Sequence, residues 1–105
     1  IIKFFDREQN LLVHITATIF VTIIGVILKL SVQEWVLIYS MVAFVITSEL
    51  INSSIELVVD LYTSKFHPLA MVAKDVSAGA VLVSAITSII VGIYVFLPKV
   101  IAIIT

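Results

Sequence analysis

Long apolar stretches dominate the chain and alternate with short polar connections. They run from about Leu11 to Leu30, from about Trp35 to Leu61 and from about Val76 to Leu97. Each reaches the roughly 20 residues that a helix needs to cross about 30 Å of hydrocarbon. Helix is the state expected in lipid, because open strands and loops would leave backbone groups without partners. The pattern therefore predicts three transmembrane helices.

A short amphipathic segment, Ile1 to Asn10, precedes the first stretch. Its apolar side chains share one side of a helix and its charged ones the other, which is typical of a helix lying in the membrane interface. Connections are predicted at Ser31 to Glu34 and at Tyr62 to Asp75, where Pro68 marks a turn. We expect one all-α integral membrane domain over residues 1–105, beginning with this short interfacial helix.

Composition supports a membrane protein and excludes several other classes. Of the 105 residues, 62% are hydrophobic and 12% are charged, against roughly 45–50% and about 25% in soluble domains. A chain this small could not bury so much apolar surface in water. The net charge of −1 and the absence of cysteine exclude a nucleic-acid-binding module, a disulfide scaffold and a thiolate site.

The distribution of lysine and arginine predicts the orientation. Four basic residues fall at the N-terminus and in the second connection, and two fall on the opposite side: Lys3, Arg7, Lys65 and Lys74 against Lys29 and Lys99. Positive charge favours the cytoplasmic side. We therefore expect the N-terminus and the second connection to lie in the cytoplasm.

The second stretch carries a polar stripe that has no counterpart elsewhere in the chain. At about 100° per residue, its members fall within an arc of roughly 100°: they are Glu49, Asn52, Ser53, Glu56 and Asp60. Glu49 and Asp60 are separated by roughly 16 Å along the axis. Asp60 would lie near the cytoplasmic surface and Glu49 in the upper acyl region, where carboxyls are functional candidates by default.

Acids this close together require a cation. Lys74, Arg7 or a divalent metal could supply it, and oxygen ligands without cysteine favour Mg²⁺. Glu8, the Lys74–Asp75 pair and the loop from Lys65 to Pro68 are expected at the same membrane face. A lysine beside metal-binding carboxylates suits phosphate neutralisation. The histidine of the first apolar stretch, His14, is interpreted as making a helix-packing hydrogen bond.

Small residues recur every fourth position along the third stretch, at Ala80, Ser84, Ser88 and Gly92. Such ridges allow close helix approach in lipid. Three helices are too few to enclose the polar stripe alone, so an oligomer is expected.

Two function classes fit these features. One is a membrane enzyme in which a deep glutamate is the general base toward a lipid hydroxyl. The other is a small cation or proton transporter, whose carboxylates would relay ions. A transporter should be polar across the whole membrane, but the half of the second stretch from Trp35 to Thr47 is nearly apolar. A pocket open on one side favours the enzyme.

Two motifs resemble the prokaryotic diacylglycerol kinase family. They are E-x-x-N-S-x-x-E-x-x-x-D from Glu49 to Asp60 and A-K-D-x-x-A-G-A-V from Ala73 to Val81. The segment from Asp60 to Ala70 and the closing F-L-P-K from Phe96 to Lys99 are similar to the Gram-positive branch, whose members act chiefly as undecaprenol kinases.

The resemblance implies a homotrimer of three-helix protomers in the bacterial inner membrane, with the active site facing the cytoplasm. The activity implied is transfer of the γ-phosphoryl group of Mg-ATP to a lipid alcohol, undecaprenol in this branch or diacylglycerol as the alternative. By motif, Glu49 resembles the general base, Glu8 and Glu56 the metal ligands, and Asn52 and Asp60 supporting residues. The implied nucleotide contacts are Lys65, Phe66, His67, Lys74 and Asp75.

Overall fold

A computed structural model describes residues 2–63, 65 and 67–105, with side chains from Leu11 onward. The described chain forms three helices: α1, Ile2–Ile27; α2, Val32–Tyr62; and α3, Pro68–Ile104. The elongated bundle measures 57 × 23 × 22 Å. The expectation of an all-helical chain is confirmed.

Two of the helices, α2 and α3, are long and apolar enough to cross a membrane. Among the described residues, the apolar part of α1 is the shorter segment Leu11–Ile27. The hydrophobic surface faces outward: Phe20, Val58 and Ile90 are each more than 60% exposed. In water this surface would be costly, whereas hydrocarbon covers it at no such cost.

The helix boundaries differ from the predicted ones. The backbone of α1 is helical from Ile2 through Asn10 into the apolar segment, so the predicted N-terminal interfacial helix is not a separate element. The prediction that α3 covers about 76–97 was too short, because it begins at Pro68 and ends at Ile104. His67 caps its N-terminus by accepting the Leu69 N–H at Nδ1 (3.1 Å). Pro68 then suits the first turn, where its missing N–H would have no partner.

The first helix ends earlier than predicted because its last turn closes on itself. Lys29 has a left-handed backbone, with φ of 58°. The Lys29 N–H bonds to the Val26 carbonyl and the Leu30 N–H to the Gly25 carbonyl, at 3.2 and 3.1 Å. This is the Schellman pattern, which usually places glycine where Lys29 stands.

The second helix starts at Val32, earlier than the predicted Trp35, because Ser31 and Glu34 form a capping box. The Ser31 hydroxyl accepts the Glu34 N–H (3.2 Å), and the Glu34 carboxylate accepts the Ser31 N–H (2.9 Å). Glu34 also pairs with Lys99 of α3 at 3.1 Å. This end of the bundle therefore has its own ionic contact between α2 and α3.

Packing is closest between α2 and α3, while α1 contacts α2 more sparsely. The buried core lies near the α1–α2 turn and consists of Leu30, Ile38 and Val95. Of the four small residues on α3 that were expected to form a packing ridge, Ser84 alone is buried. A side chain at Gly92 would meet no atom within 4 Å. Within one chain, only part of this ridge of small residues is therefore packed against another helix.

Candidate active site

The polar stripe of α2 is partly buried, whereas its apolar neighbours are exposed. All five members, from Glu49 to Asp60, are half-buried. Leu50, Ile51 and Val58 are exposed at 56%, 55% and 65%. The stripe is therefore turned toward the other helices more than its apolar neighbours are, which is the arrangement expected for a functional polar group in a membrane.

The deepest acid of the stripe contacts α1. Glu49 Oε2 lies 2.5 Å from His14 Nε2, and the two side chains are 28% and 23% exposed. The contact is charge-assisted when either group is ionised, which makes it one of the stronger hydrogen bonds available to side chains. His14 was predicted only as a helix-packing residue. The structure places it beside the expected general base.

A lysine neutralises the shallowest acid. Lys74 Nζ lies 2.7 Å from Asp60 Oδ1, with side-chain exposures of 36% and 29%. Of the cations proposed from the sequence, Lys74 is therefore the one that the described side chains bring to the stripe. Lys74 lies early in α3 and Asp60 late in α2, so the pair closes the connection between the two helices.

A third polar contact lies between the other two. The buried Ser77 hydroxyl is 2.6 Å from Asn52 Oδ1 and 3.0 Å from the Lys74 carbonyl. Ser77 was not among the predicted site residues. The available signal was its spacing: it lies three residues after Lys74, on the same face of a helix. It fixes Asn52 toward α3.

The other predicted site residues are not joined to this set of polar contacts by the described side chains. Glu56 is half-buried, and the described residues offer it no hydrogen bond or ion pair. Asp75 is exposed. The Glu8 side chain and Phe66 lie outside the described residues. Within the described part of the chain, no group of three or more acidic or histidine side chains is clustered so that it could hold a metal ion.

Beside the Asp60–Lys74 pair, residues near the turn between α2 and α3 line a cavity of about 270 Å³, and several of them are charged or polar. Its lining includes Thr63, Lys65 and His67. Because His67 Nδ1 accepts the Leu69 N–H, the neutral ring carries its proton on Nε2. Lysine ammonium groups and an imidazole N–H are donors suited to phosphate oxygens.

An apolar cavity of about 290 Å³ lies between the three helices, and His14 forms part of its wall. Val21, Ile38 and Ala85 are among its lining residues, and His14, Thr18 and Ser88 are its polar members. The site thus has two environments. The cavity at the α2–α3 turn has charged side chains in its lining, whereas the cavity below the His14–Glu49 pair is mainly apolar.

The family is decided by comparison with known sequences. A sequence profile described as prokaryotic diacylglycerol kinase matches residues 1–96. The chain belongs to this family. The predicted lipid kinase is confirmed by this membership, which also decides against the transporter class.

Several members of the prokaryotic diacylglycerol kinase family are similar along most of the chain. The undecaprenol kinase of Bacillus subtilis is 46% identical over 92 residues, covering 88% of this chain and 75% of that protein. The diacylglycerol kinase of Synechocystis is 35% identical over 95 residues, covering 90% and 54%. That of Escherichia coli is 36% identical over 74 residues, covering 70% and 61%.

Proposed function

We propose that this lipid kinase transfers the γ-phosphoryl group of ATP to a membrane lipid alcohol, with undecaprenol as the preferred acceptor. Two observations support the acceptor class: the Glu49 carboxylate lies deep in the stripe, and an apolar cavity adjoins its partner His14. Along most of the chain, the identity to an undecaprenol kinase is higher than the identity to the diacylglycerol kinases of Synechocystis and Escherichia coli, which supports undecaprenol. Diacylglycerol is the alternative, since it also presents a primary hydroxyl.

The observation that carries the proposal is the depth of Glu49 relative to Asp60. The two acids are separated by roughly 16 Å along α2. The hydroxyl group of a membrane lipid can reach Glu49. A water-soluble nucleotide can reach the end of the stripe at Asp60, where Lys65, His67 and Lys74 lie. Glu49 would accept the hydroxyl proton while the lipid oxygen attacks the γ-phosphorus. The basic side chains would hold and neutralise the phosphates, which is the main catalytic requirement of phosphoryl transfer.

Magnesium fits the oxygen donors that this chain provides. Glu56 is half-buried and its carboxylate is uncommitted within the described residues, and carboxylates are preferred Mg²⁺ ligands. We propose that Glu56 and Glu8 hold the metal. When bound, Mg²⁺ would neutralise charge on the nucleotide phosphates. Asn52, Asp60 and Asp75 complete the proposed site, with Phe66 as a further nucleotide contact.

We also propose that three copies assemble in the bacterial inner membrane, each chain crossing it three times. The sparse contacts of α1 and the incomplete burial of the stripe support an assembly in which another chain completes the site. The lysine and arginine distribution supports a cytoplasmic active site.

The direct test is transfer of radiolabelled phosphate from ATP to undecaprenol and to diacylglycerol in detergent micelles. We expect both lipids to be labelled, with undecaprenol labelled faster. In the Glu49→Gln variant, kcat should fall by at least about 100-fold. Full activity in a folded Glu49→Gln variant would remove Glu49 from the role of general base. Ion flux in liposomes without any ATP-dependent lipid labelling would contradict the proposed reaction.

A further inference from the structure

We propose that His14 is a positioning residue for Glu49: it holds the carboxylate in place to accept the proton of the lipid hydroxyl. This inference rests on the proposed function of Glu49 as general base. It concerns a side chain that the family motifs do not include, since His14 lies on α1, 35 positions from its partner.

The geometry leaves one carboxylate oxygen for the substrate. His14 Nε2 contacts Oε2 at 2.5 Å, and no described residue hydrogen-bonds to Oε1. An imidazole with its proton on Nε2 donates to Oε2, whether the ring is neutral or protonated. Glu49 has several rotatable bonds in its side chain, and anchoring one oxygen removes much of that freedom. The second oxygen is then presented at a fixed place.

Glu49 and His14 have separate roles in the proposed phosphoryl transfer. The lipid hydroxyl proton passes to Glu49 Oε1, and the lipid oxygen forms a bond to the γ-phosphorus. The bond between that phosphorus and its bridging oxygen breaks, and ADP leaves with the electron pair. His14 keeps its proton throughout and acts only by holding Oε2. Its position at the wall of the apolar cavity places the pair where an acyl or isoprenoid chain would lie.

A different explanation is that His14 only ties α1 to α2. The structure supplies a matched control for that explanation. Thr22 Oγ1 and Tyr39 Oη make another polar contact between the same helices at 2.7 Å, about 12 Å further along α1. Thr22 does not line the cavity, and its hydroxyl contacts Thr18 and Tyr39 rather than the stripe. Removing the His14–Glu49 and Thr22–Tyr39 contacts separately distinguishes a general role in helix packing from a role in positioning Glu49.

The test compares His14→Leu, His14→Gln and Thr22→Val in the full chain. We expect kcat to fall about 10- to 100-fold in His14→Leu, with the KM values for both substrates changed less than about threefold. Glutamine keeps an N–H near the position of Nε2, so His14→Gln should recover kcat to within about fivefold of the parent. Thr22→Val should stay within about twofold. An unchanged kcat in His14→Leu, or an equal loss in Thr22→Val, would overturn the proposal.

A double variant separates this inference from the role of Glu49 itself. If His14 acts through Glu49, adding His14→Leu to Glu49→Gln should cost little further activity. A further loss as large as that of His14→Leu alone would overturn the positioning role. If Glu49→Gln is fully active, the general base assignment fails instead.

A spectroscopic measurement keeps the contact testable where variants lose activity for other reasons. The chain has two histidines, so two sets of ¹⁵N imidazole resonances are expected. Glu49→Gln should shift the Nε2 resonance of His14 and leave that of His67 in place. Unmoved His14 resonances would show that the contact is absent in solution.

Discussion

Lys74 Nζ and Asp60 Oδ1 are 2.7 Å apart and join the last turn of α2 to the second turn of α3. Both side chains are about a third exposed, so water screens the pair and its contribution to stability should be within about 1 kcal/mol. The Asp60–Lys74 pair lies beside the cavity at the turn, which indicates that it matters more for the proposed active site than for stability.

Replacing Lys74 by methionine should therefore impair catalysis more than folding. We expect kcat/KM for ATP to fall about 100-fold, because a phosphate-neutralising charge is lost, while thermal unfolding in detergent changes little. Lys99→Met removes the same charge from the Glu34 pair at the other end of the bundle. That control should change kcat/KM by less than about twofold. Equal losses in both variants would contradict a nucleotide role for Lys74.

Glu56→Gln should raise the Mg²⁺ concentration that gives half-maximal activity by about tenfold, since one anionic ligand is lost. The measurement is a Mg²⁺ titration of phosphoryl transfer at saturating ATP. Glu34→Gln is the matched control, because it removes a carboxylate that is engaged by Ser31 and Lys99. A Glu56→Gln titration that overlays the parent curve would exclude Glu56 as a ligand.

Gly25 permits the close approach of α1 and α2. A β-carbon there would lie 2.5 Å from Trp35 Cη2 and 3.0 Å from Leu30 Cδ1. The indole ring is stacked on Tyr39, with centroids 5.4 Å apart, so it cannot move freely. Gly25→Ala should lower the free energy of unfolding by about 1–3 kcal/mol.

Gly92→Ala is the matched control for this prediction, since a β-carbon there meets no atom within 4 Å. It should be neutral or stabilise α3 by up to about 1 kcal/mol, because alanine favours helix more than glycine does. Thermal unfolding followed by circular dichroism in detergent measures both. A Gly25→Ala variant as stable as Gly92→Ala would contradict the tight packing.

Lys29 occupies a left-handed position that costs a non-glycine residue about 1 kcal/mol. Lys29→Gly should therefore raise the free energy of unfolding by about that amount, with activity unchanged. Lys29→Ala removes the charge but retains the β-carbon and should not stabilise. Equal stabilisation by the two substitutions would show that the charge, rather than the backbone, is responsible.

The absence of cysteine makes orientation simple to test. Single cysteines at Thr63 and at Gln33 lie at opposite ends of α2. In intact cells, a membrane-impermeant maleimide should label Gln33→Cys and spare Thr63→Cys, because the lysine and arginine distribution predicts a cytoplasmic second connection. The reverse labelling pattern would place the proposed site outside the cytoplasm.

Much of the site followed from helical periodicity. The arc from Glu49 to Asp60 depends only on the spacing of five residues along one helix, and all five are half-buried in the structure. The pairing of His14 with Glu49 could not be obtained in this way. It depends on how α1 packs against α2, which no local pattern specifies, and a lone histidine in an apolar run is ordinary.

The errors at the ends of α3 have a local cause. The residues before Val76 were interpreted as a connection because they include Lys74 and Asp75. Those charges lie on a helical turn that His67 and Pro68 already begin. At the other end, the helix was predicted to stop at about Leu97, just before Pro98, yet α3 continues through this proline to Ile104. The missing proline N–H removes one hydrogen bond without ending the helix.

The two ion pairs between α2 and α3, Glu34–Lys99 and Asp60–Lys74, lie at opposite ends of α2 and define a length along the helix. Glu34 and Asp60 are about 39 Å apart along α2, which is more than the roughly 30 Å of the hydrocarbon core and slightly less than the roughly 40–45 Å of a bilayer with its headgroup regions. Both pairs can then lie among headgroups at the same time. Lipids with much longer acyl chains would draw one pair into hydrocarbon or change the tilt of the helices. Turnover should therefore pass through a maximum as acyl-chain length is varied in reconstituted vesicles.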